Sequence, residues 1–440
     1  MKSLRTFTRG GVHPRDYKGY AAEKPITNAF IPSLLKIPLL QHIGSPAECL
    51  VDKGDEVHEE MLLGKSTGFI SANIHCSVPG VVKGIEDIIL PSGARAKSIA
   101  VEMQGEFNRL GRNREPFDWR NASKQDLLEL IKERGIVGLG GATFPTHVKY
   151  TIPRQKKVEA FVVNGVECEP YLNSDYRIML EKSKEILEGI RIVSRILEPE
   201  KIYFGIESNK PEAIELVAKV CAEENLDVEV VPLELKYPQG DEKQLLKAIL
   251  DREVPSGALP IDIGAVVSNV GTIYAIYEAI VQAKPLIERI VTVSGGAIKN
   301  PMNFKVRIGT PVRTLIEECG GFTKEPAKVL MGGPMMGFAL CDLDMPVIKG
   351  TSGILALTKR EVKPAPTTPC IKCGRCIAAC PLGLNPTRLY KAVDHGMYYE
   401  AREIGLMDCK ECGCCGYVCP AHIPLIQGMK LGKRMLKKEL

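Results

Sequence analysis

Fifteen cysteines occur in this chain of 440 residues, and eight of them fall into two copies of one spacing. Each copy reads C-x2-C-x2-C-x3-C followed by proline, first as CIKCGRCIAACP and again as CKECGCCGYVCP. In this spacing three thiolates converge on one four-iron cluster, and the fourth thiolate reaches the other cluster. The predicted ligands are Cys370, Cys373, Cys376 and Cys419 for one [4Fe–4S] cluster, and Cys409, Cys412, Cys415 and Cys380 for the second.

Zinc binding and disulfide formation are the alternative uses of so many cysteines. Zinc sites use pairs of C-x2-C, whereas here four cysteines and a proline repeat. Disulfides form in oxidising compartments, and nothing at the N-terminus resembles a secretory signal peptide. Cys414 lies outside the repeated frame, so we predict that it neighbours a cluster without binding it. We interpret six scattered cysteines as reduced, mostly buried small apolar side chains: Cys49, Cys76, Cys168, Cys221, Cys319 and Cys341.

The composition is that of an ordinary globular protein, with 45% hydrophobic residues, 25% charged residues and a net charge of +5. A chain of this length predicts three or more domains. No basic stripe interleaved with aromatic residues is present, which argues against nucleic acid as a partner. No uncharged apolar run reaches the length of a membrane span, so we expect any membrane role to be peripheral. LIQGMKLGKRMLKKEL predicts a basic amphipathic helix, for which a solvated terminal helix is favoured over lipid binding.

Residues 35–110, which follow an N-terminal segment of residues 1–34, contain short apolar runs separated by turns. The KGDEV turn and the closing VPGVV are similar to features of lipoyl and biotinyl carrier domains. Such carriers hold a modifiable lysine at a hairpin tip. Here Phe69 takes the tip position, and Lys65 lies outside it. We therefore predict a barrel-sandwich hybrid that carries no lipoate.

The remaining chain predicts three further units. Residues 120–287 alternate strands with helices, which is typical of an α/β domain with a mostly parallel sheet. In this region Ser123 is expected to cap a helix that ends before Gly135, and residues 174–197 predict one long amphipathic helix. Residues 288–360 are compatible with a β-grasp domain. Residues 361–440 predict an α-helical ferredoxin-like domain around the two clusters.

A glycine-rich stretch, GIVGLGGATFPTHVKY, occupies residues 135–150. It fails the dinucleotide-binding pattern G-x-G-x-x-G because Thr143 stands at the last position, and it follows a helix rather than a full strand. Spacing alone therefore favours a structural turn. Glycines nevertheless allow backbone N–H groups to approach a phosphate or a flavin closely.

This stretch resembles the flavin and NADH loop of the NADH-oxidising subunit of respiratory complex I. VNGVECEP, YPQGDEK and SNVGT match the same subunit in the same order. GGVHP, PLLQHIGSPAE and the paired cysteine motifs extend the resemblance over residues 9–419 to the family of the C subunit of the Rnf complex, a bacterial membrane-bound ferredoxin:NAD oxidoreductase. The family usually has glycine where this chain has Thr143, which weakens the expectation of close backbone approach at that position.

The resemblance implies roles for individual residues. FMN is expected against the glycine loop, with three residues along its edge and Asn269 at its phosphate end. Three further residues border the flavin and the nucleotide. Phe144 is expected to stack on the nucleotide, and Lys149 to meet phosphate charge. Glu169 is expected to face the nicotinamide as the catalytic residue. The loop residues are Gly138, Gly140, Gly141 and Ala142, the flavin edge is Asn164, Glu167 and Cys168, and the bordering residues are Gly240, Asp241 and Glu242.

The implied function is electron transfer between ferredoxin and NAD(H). Nicotinamide exchanges two electrons as a hydride and a cluster exchanges one, so a chain that joins the two needs a converter such as FMN. The expected partners are other subunits of an Rnf-type complex, including a ferredoxin-like iron–sulfur subunit, with ferredoxin reached indirectly at the cytoplasmic face of the membrane. Two alternatives remain open: a soluble homologue that supplies a cytosolic reductase, and a non-catalytic docking subunit.

Overall fold

Four structural units follow an extended N-terminal segment in the computed structural model, which describes residues 4–107 and 117–438. The N-terminal segment contains one strand, β1 (Ile26–Asn28). The predicted end of the first domain, residue 110, lies outside the described residues. In the described part of the chain no helix has both the length and the apolar character needed to cross a membrane.

The first unit is a sandwich of two small sheets, as the similarity to lipoyl and biotinyl carrier domains predicted. Strands β2, β8, β7 and β4 form one sheet, and β3, β5 and β6 form the other. Leu35, Ile37, Leu63 and Ile74 are fully buried between them. The strands are β2 (Leu34–Pro38), β3 (Glu48–Cys49), β4 (Glu56–Val57), β5 (Leu62–Lys65), β6 (Ile74–His75), β7 (Gly80–Ile89) and β8 (Arg95–Met103).

This unit should carry no lipoyl or biotinyl group. Phe69 lies in the connection between β5 and β6 with 72% of its surface exposed. Lys65 is the last residue of β5, where it lies opposite Glu48 of β3 in the sheet. We expect the intact mass of natively expressed protein to equal that of the unmodified chain plus its cofactors. An added lipoyl mass that disappears in Lys65→Arg would contradict this prediction.

The second unit contains a four-stranded parallel sheet in the order β11-β10-β9-β12, with helices on its faces. Its core is dominated by buried Ile, Val and Leu, which is typical of parallel sheets that are covered on both faces. The strands are β9 (Ala160–Gly165), β10 (Lys201–Glu207), β11 (Glu229–Leu233) and β12 (Ala265–Asn269). The helices are α1 (Lys124–Glu133), α2 (Thr146–Tyr150), α3 (Ser174–Glu181), α4 (Ser183–Leu197), α5 (Pro211–Glu223), α6 (Glu242–Leu250) and α7 (Val270–Val281).

Local sequence signals account for several of these element ends. Ser123 caps α1 in a reciprocal capping box with Asp126, and Gly135 follows the helix at a φ of 65°, as predicted. The single helix predicted over residues 174–197 is wrong, because the chain breaks at Lys182, whose φ is −132°. α3 packs on the following domain, while α4 packs along α1 and α7. The apolar periodicity continues through the break and so did not reveal it.

The third unit is a β-grasp sheet with two central parallel strands, β13 and β17, as expected. Its strand order is β1-β14-β13-β17-β15-β16. Strand β1 adds to this sheet in parallel with β14, which the sequence did not predict. The elements are β13 (Glu288–Ser294), β14 (Met302–Arg307), α8 (Val312–Glu318), β15 (Lys328–Met331), β16 (Phe338–Ala339), β17 (Gly353–Leu357) and α9 (Lys359–Val362).

The fourth unit is helical, as predicted from the length between the two cysteine motifs. Leu389, Val393, Ala401, Leu406 and Met429 form its core. The helices are α10 (Arg375–Ala378), α11 (Pro386–Asp394), α12 (Tyr398–Glu403), α13 (Cys414–Tyr417) and α14 (Leu425–Lys438). The predicted terminal helix is therefore present as α14, and it packs on α11 and α12.

Candidate functional site

In the parallel sheet of the second unit, the strand order reverses between β9 and β12. The chain runs outward from β9 to β10 and β11, then returns to place β12 on the other side of β9. In open parallel sheets, ligands bind at the carboxyl ends of strands at such a switch point. Asn164 lies one residue before the end of β9, directly beside Asn269, which is its register partner and the last residue of β12. The two asparagines predicted from separate motifs therefore stand together at this crevice.

The glycine-rich loop lies over the same crevice. A Cβ atom at Gly140 would be 3.2 Å from the Cβ of Asn269, so the loop approaches the end of β12 closely. The loop turns between Gly138 and Phe144, whose backbones are joined by a hydrogen bond of 2.8 Å. Thr143 adopts a φ of 50°, a region that disfavours β-branched side chains. Glycine adopts this backbone without strain, so it would fit this position better than Thr143.

Asn269 fixes the start of α7 and orients a buried carboxyl group. Its Oδ1 accepts hydrogen bonds from the backbone N–H groups of Gly271 and Thr272, and its Nδ2 donates to Asp175 Oδ2 at 2.7 Å. Burial, assisted by the nearby charge of Glu167, raises the pKa of Asp175 to about 7. Helix N-termini favour anions, so this corner can receive a phosphate while Asp175 holds Asn269 in place.

The residues after β9 make contacts within the chain that the sequence did not predict. Glu167 Oε1 accepts hydrogen bonds from the Ser174 hydroxyl at 3.0 Å and from the Asp175 N–H at 2.9 Å. Glu167 therefore anchors the start of α3, behind the crevice. Cys168 is half-buried, and burial raises the pKa of its thiol, which keeps it protonated and apolar at the crevice wall.

The third wall of the crevice is the segment that leads into α6. Asn164 Nδ2 donates to the Gly240 carbonyl at 3.0 Å, which ties this segment to the end of β9. A Cβ at Gly240 would meet the Cys168 sulfur at 3.2 Å. Asp241 caps α6, and Glu242 pairs with Lys149 at 2.5 Å. Lys149 is thus brought to the site, where its charge is balanced by Glu242.

Glu169 holds a loop that the sequence did not assign to the site. Its two carboxylate oxygens accept hydrogen bonds from the backbone N–H groups of Met335 (3.0 Å) and Met336 (2.9 Å). Gly333 allows this approach, because a side chain there would overlap the carboxylate. Burial raises the pKa of Glu169 to about 7, while the two N–H donors act in the opposite direction. The MGGPMMG run was the available sequence signal, but no spacing links it to Glu169.

The crevice and the cysteine-rich unit meet at Tyr237. This side chain is almost completely buried, and its hydroxyl donates to the Cys412 carbonyl at 2.8 Å. On the same side, a Cβ at Gly413 would lie 2.8 Å from the Met335 carbonyl oxygen. The loop held by Glu169 therefore packs directly against the second cysteine motif.

The structure brings the eight cysteines of the repeated motif together in two groups. One cavity is lined by Cys370, Cys373, Cys376 and Cys419, and another by Cys380, Cys409, Cys412 and Cys415. Cys414, which lies outside the repeated frame, also lines the second cavity. Within the described residues, no three His, Cys, Asp or Glu side chains converge closely enough for a single metal ion. Thiols that surround a cavity fit a cluster with several irons better than one zinc ion, so the arrangement suits the predicted [4Fe–4S] clusters.

The two cysteine motifs share one backbone geometry. Lys372 and Glu411 both adopt a φ of 55°, and their N–H groups donate to the sulfurs of Cys370 and Cys409 at 3.4 Å in each case. A short helix follows in both, beginning at Arg375 in the first motif and at Cys414 in the second. Cys414 therefore occupies the position of Arg375, which is not a metal ligand.

Two buried cations beneath the glycine loop were also missed. Arg289 donates to the carbonyls of Leu139 and Thr351, and Lys349 donates to the carbonyls of Asn73 and Gly135. Burial lowers the pKa of Arg289 to about 10 and that of Lys349 to about 7. Both side chains come from outside the α/β unit, so they fix the loop against the barrel and β-grasp units. Their separation in sequence concealed this role.

Comparison with known families assigns each unit. The RnfC barrel sandwich hybrid domain matches residues 6–106, and the Nuo51 FMN-binding domain matches residues 131–278. The SLBB domain matches residues 290–339, and the 4Fe-4S dicluster domain matches residues 365–420.

Several relatives extend over nearly the whole chain. The C subunit of the proton-translocating ferredoxin:NAD(+) oxidoreductase complex of Clostridium ljungdahlii is 50% identical over 91% of this chain and 87% of its own length. The chain belongs to the RnfC family. A further RnfC relative is the C subunit of the Na(+)-translocating ferredoxin:NAD(+) oxidoreductase complex of Acetobacterium woodii. It is 42% identical over 97% of this chain and 96% of its own length.

Membership of the RnfC family confirms the predicted fold class and cofactors: FMN, NAD(H) and two [4Fe–4S] clusters. A solved NAD+-reducing [NiFe]-hydrogenase in the air-oxidised state shares the fold alone. It has 15% identity and a TM-score of 0.50, with 76% of this chain and 65% of that chain aligned. The individual contacts of the predicted ligands with cofactors stay predictions.

Proposed function

We propose that this chain is the NAD-binding subunit of an ion-translocating ferredoxin:NAD oxidoreductase, in which it passes electrons between two [4Fe–4S] clusters, FMN and NAD(H). The observation that carries the proposal is the adjacency of two sites in one chain. A crevice at a sheet switch point, walled by Asn164 and Asn269, is separated from a cysteine-lined cavity by Tyr237. FMN exchanges a hydride on one side and single electrons on the other when bound between such sites.

In this proposal the chain binds and orients the cofactors rather than acting by acid–base catalysis. The glycine loop, exposed at residues 140–142, receives the flavin ring. Asn269 and the start of α7 receive the flavin phosphate, and Asn164 holds the Gly240 segment along the edge of the ring. Phe144 stacks on the nucleotide, and Glu169 faces the nicotinamide from the far wall.

The proposed partners follow from the same relatives, which belong to multi-subunit complexes. We propose that this chain sits peripherally at the cytoplasmic face of the membrane. There it receives electrons from a ferredoxin-like iron–sulfur subunit, and it reaches ferredoxin only through that subunit.

Loss of the Asn164 amide tests the flavin crevice. We expect Asn164→Ala, purified anaerobically, to retain both clusters and to lose at least tenfold in the rate of NADH-dependent reduction of a neutral quinone. The reason is that the Gly240 segment would no longer be tied to the end of β9. The control is Asn121→Ala, which removes an exposed hydrogen bond to Asp118 at a position distant in sequence from Asn164. This variant should leave the rate unchanged. Wild-type protein that contains clusters but binds no FMN would contradict the proposed function.

A further inference from the structure

The two cysteine cavities differ in their surroundings. Cys370 and Cys373 are exposed, and every residue from 363 to 375 is exposed. The other cavity is covered: Gly11 of the N-terminal segment donates to the Ala379 carbonyl beside Cys380, and Tyr237 covers Cys412. The first cavity therefore presents its ligands more openly to a protein that approaches from solution, because Cys380 and Cys415 are buried and Cys409 and Cys412 are only partly exposed.

The exposed cavity is also surrounded by positive charge. Residues 362–393 contain five basic residues and no acidic residue. Lys372, Arg375 and Lys391 are exposed, and the described part of the chain offers them no ion-pair partner. Ile371 (67% exposed) and Ile377 (42% exposed) lie among these cations. Interfaces commonly combine such an apolar centre with charges that steer the partner.

We infer that this face, defined by Ile371, Lys372, Arg375, Ile377 and Lys391, is the docking surface for an acidic, ferredoxin-like iron–sulfur protein. The inference rests on the proposed function and adds to it the entry point and the charge of the partner. A cluster held by Cys370, Cys373, Cys376 and Cys419 would be the entry point for electrons, and a cluster in the covered Cys380–Cys412 cavity would lie between it and the flavin crevice. The positive face raises the encounter rate with a negative partner, and that rate falls as salt screens the charges.

The test uses anaerobically purified holo-protein and, as the probe, a purified acidic bacterial ferredoxin with two [4Fe–4S] clusters, which substitutes for the ferredoxin-like partner subunit. Binding is measured by calorimetry at low and high ionic strength. We expect Lys372→Glu/Arg375→Glu to weaken binding at least tenfold at low salt and to remove most of the salt dependence. Because these positions adjoin predicted ligands, Lys391→Glu is the second variant; it lines the same cavity without neighbouring a cysteine in sequence. It should weaken binding severalfold with unchanged cluster absorbance.

The control is Lys53→Glu/Arg95→Glu, at two exposed positions of the barrel-sandwich unit. It changes the net charge by the same amount as Lys372→Glu/Arg375→Glu and should bind the ferredoxin like the wild type. Equal weakening in this control, or no binding of the probe to wild type at low salt, would overturn the inference. So would variants that bind the ferredoxin normally but lose binding to phosphatidylglycerol vesicles, since the face would then be a membrane surface. NADH reduction of the quinone is independent of this face, so its failure would count against the proposed function alone.

Discussion

Replacing Cys415 with serine should remove one of two [4Fe–4S] clusters, so that the content falls from about eight irons and eight acid-labile sulfides per chain to about four of each. Cys414→Ser should keep all of them. Cys415 is in the repeated frame and lines the covered cavity with Cys380. Cys414 takes the place of Arg375, and its thiol makes only a long contact of 3.9 Å with the Tyr237 carbonyl, so serine removes one weak contact and no predicted cluster ligand.

Iron and sulfide analysis with low-temperature EPR on anaerobic protein provides the measurement. Because each cluster is predicted to take its fourth ligand from the other motif, the variants of these two ligands give a sharper second comparison. Cys380→Ser should perturb the same cluster signal as Cys415→Ser, whereas Cys419→Ser should perturb the other. A cluster signal lost in Cys414→Ser would show that the frame is misassigned. A preparation that saturates at two zinc ions without sulfide would exclude both clusters.

Glu169→Gln should raise the NADH concentration that half-bleaches the flavin by about tenfold, while both clusters remain. A carboxylate accepts a hydrogen bond from the nicotinamide amide about twice as strongly as a neutral amide, and about 1.4 kcal/mol corresponds to tenfold in affinity. The variant should also melt at a lower temperature. Gln offers one acceptor to the N–H groups of Met335 and Met336, and an unsatisfied N–H costs about 1–3 kcal/mol.

Two readouts separate nucleotide binding from bracing of the loop. Since burial raises the pKa of Glu169 to about 7, wild-type NADH affinity should rise with pH through 7, and the Gln variant should lose this dependence. The free energy of unfolding should change with pH in the opposite direction to NADH affinity. Because folding raises the pKa of Glu169, this residue stabilises the folded state at low pH, and that contribution is lost as the pH rises from the ordinary pKa of 4.5 to about 7. Gly337→Ala is the matched control, because its Cβ would lie 2.4 Å from the Gly333 carbonyl oxygen and so disturb the same loop without removing the Glu169 carboxylate. Equal loss of NADH affinity in both variants would assign Glu169 to bracing alone.

Short-range signals in this sequence were reliable where one local interaction decides the structure. Ser123 at the start of α1 and Gly135 after its end each marked an element boundary that the structure confirms. The cysteine spacing likewise indicated two groups of four, because a cluster constrains its own binding loop. Asn164 and Asn269 were reached through family resemblance, and their contact depends on the sheet order, which spacing does not encode.

The missed residues share one physical cause: each acts through a contact between distant parts of the chain. Asp175, Tyr237 and Arg289 are buried polar groups whose partners come from other strands or units. β1 joins a sheet whose other strands begin more than two hundred residues later, and its short ITN sequence carries no strand pattern of its own. Such contacts appear only when the units are assembled.

The predicted exchange of fourth ligands has a consequence for biosynthesis. One cluster needs Cys419 from the second motif, and the other needs Cys380 from the first. Both clusters therefore wait for the second motif, even though the flavin unit is already available for folding. The cluster that uses Cys380 can be completed only once Cys415 has been made, and the cluster of Cys370, Cys373 and Cys376 only once Cys419 has been made. Metal insertion into this chain is then late, and the nascent protein must hold the four thiols of its first motif without a full ligand set until the second motif emerges.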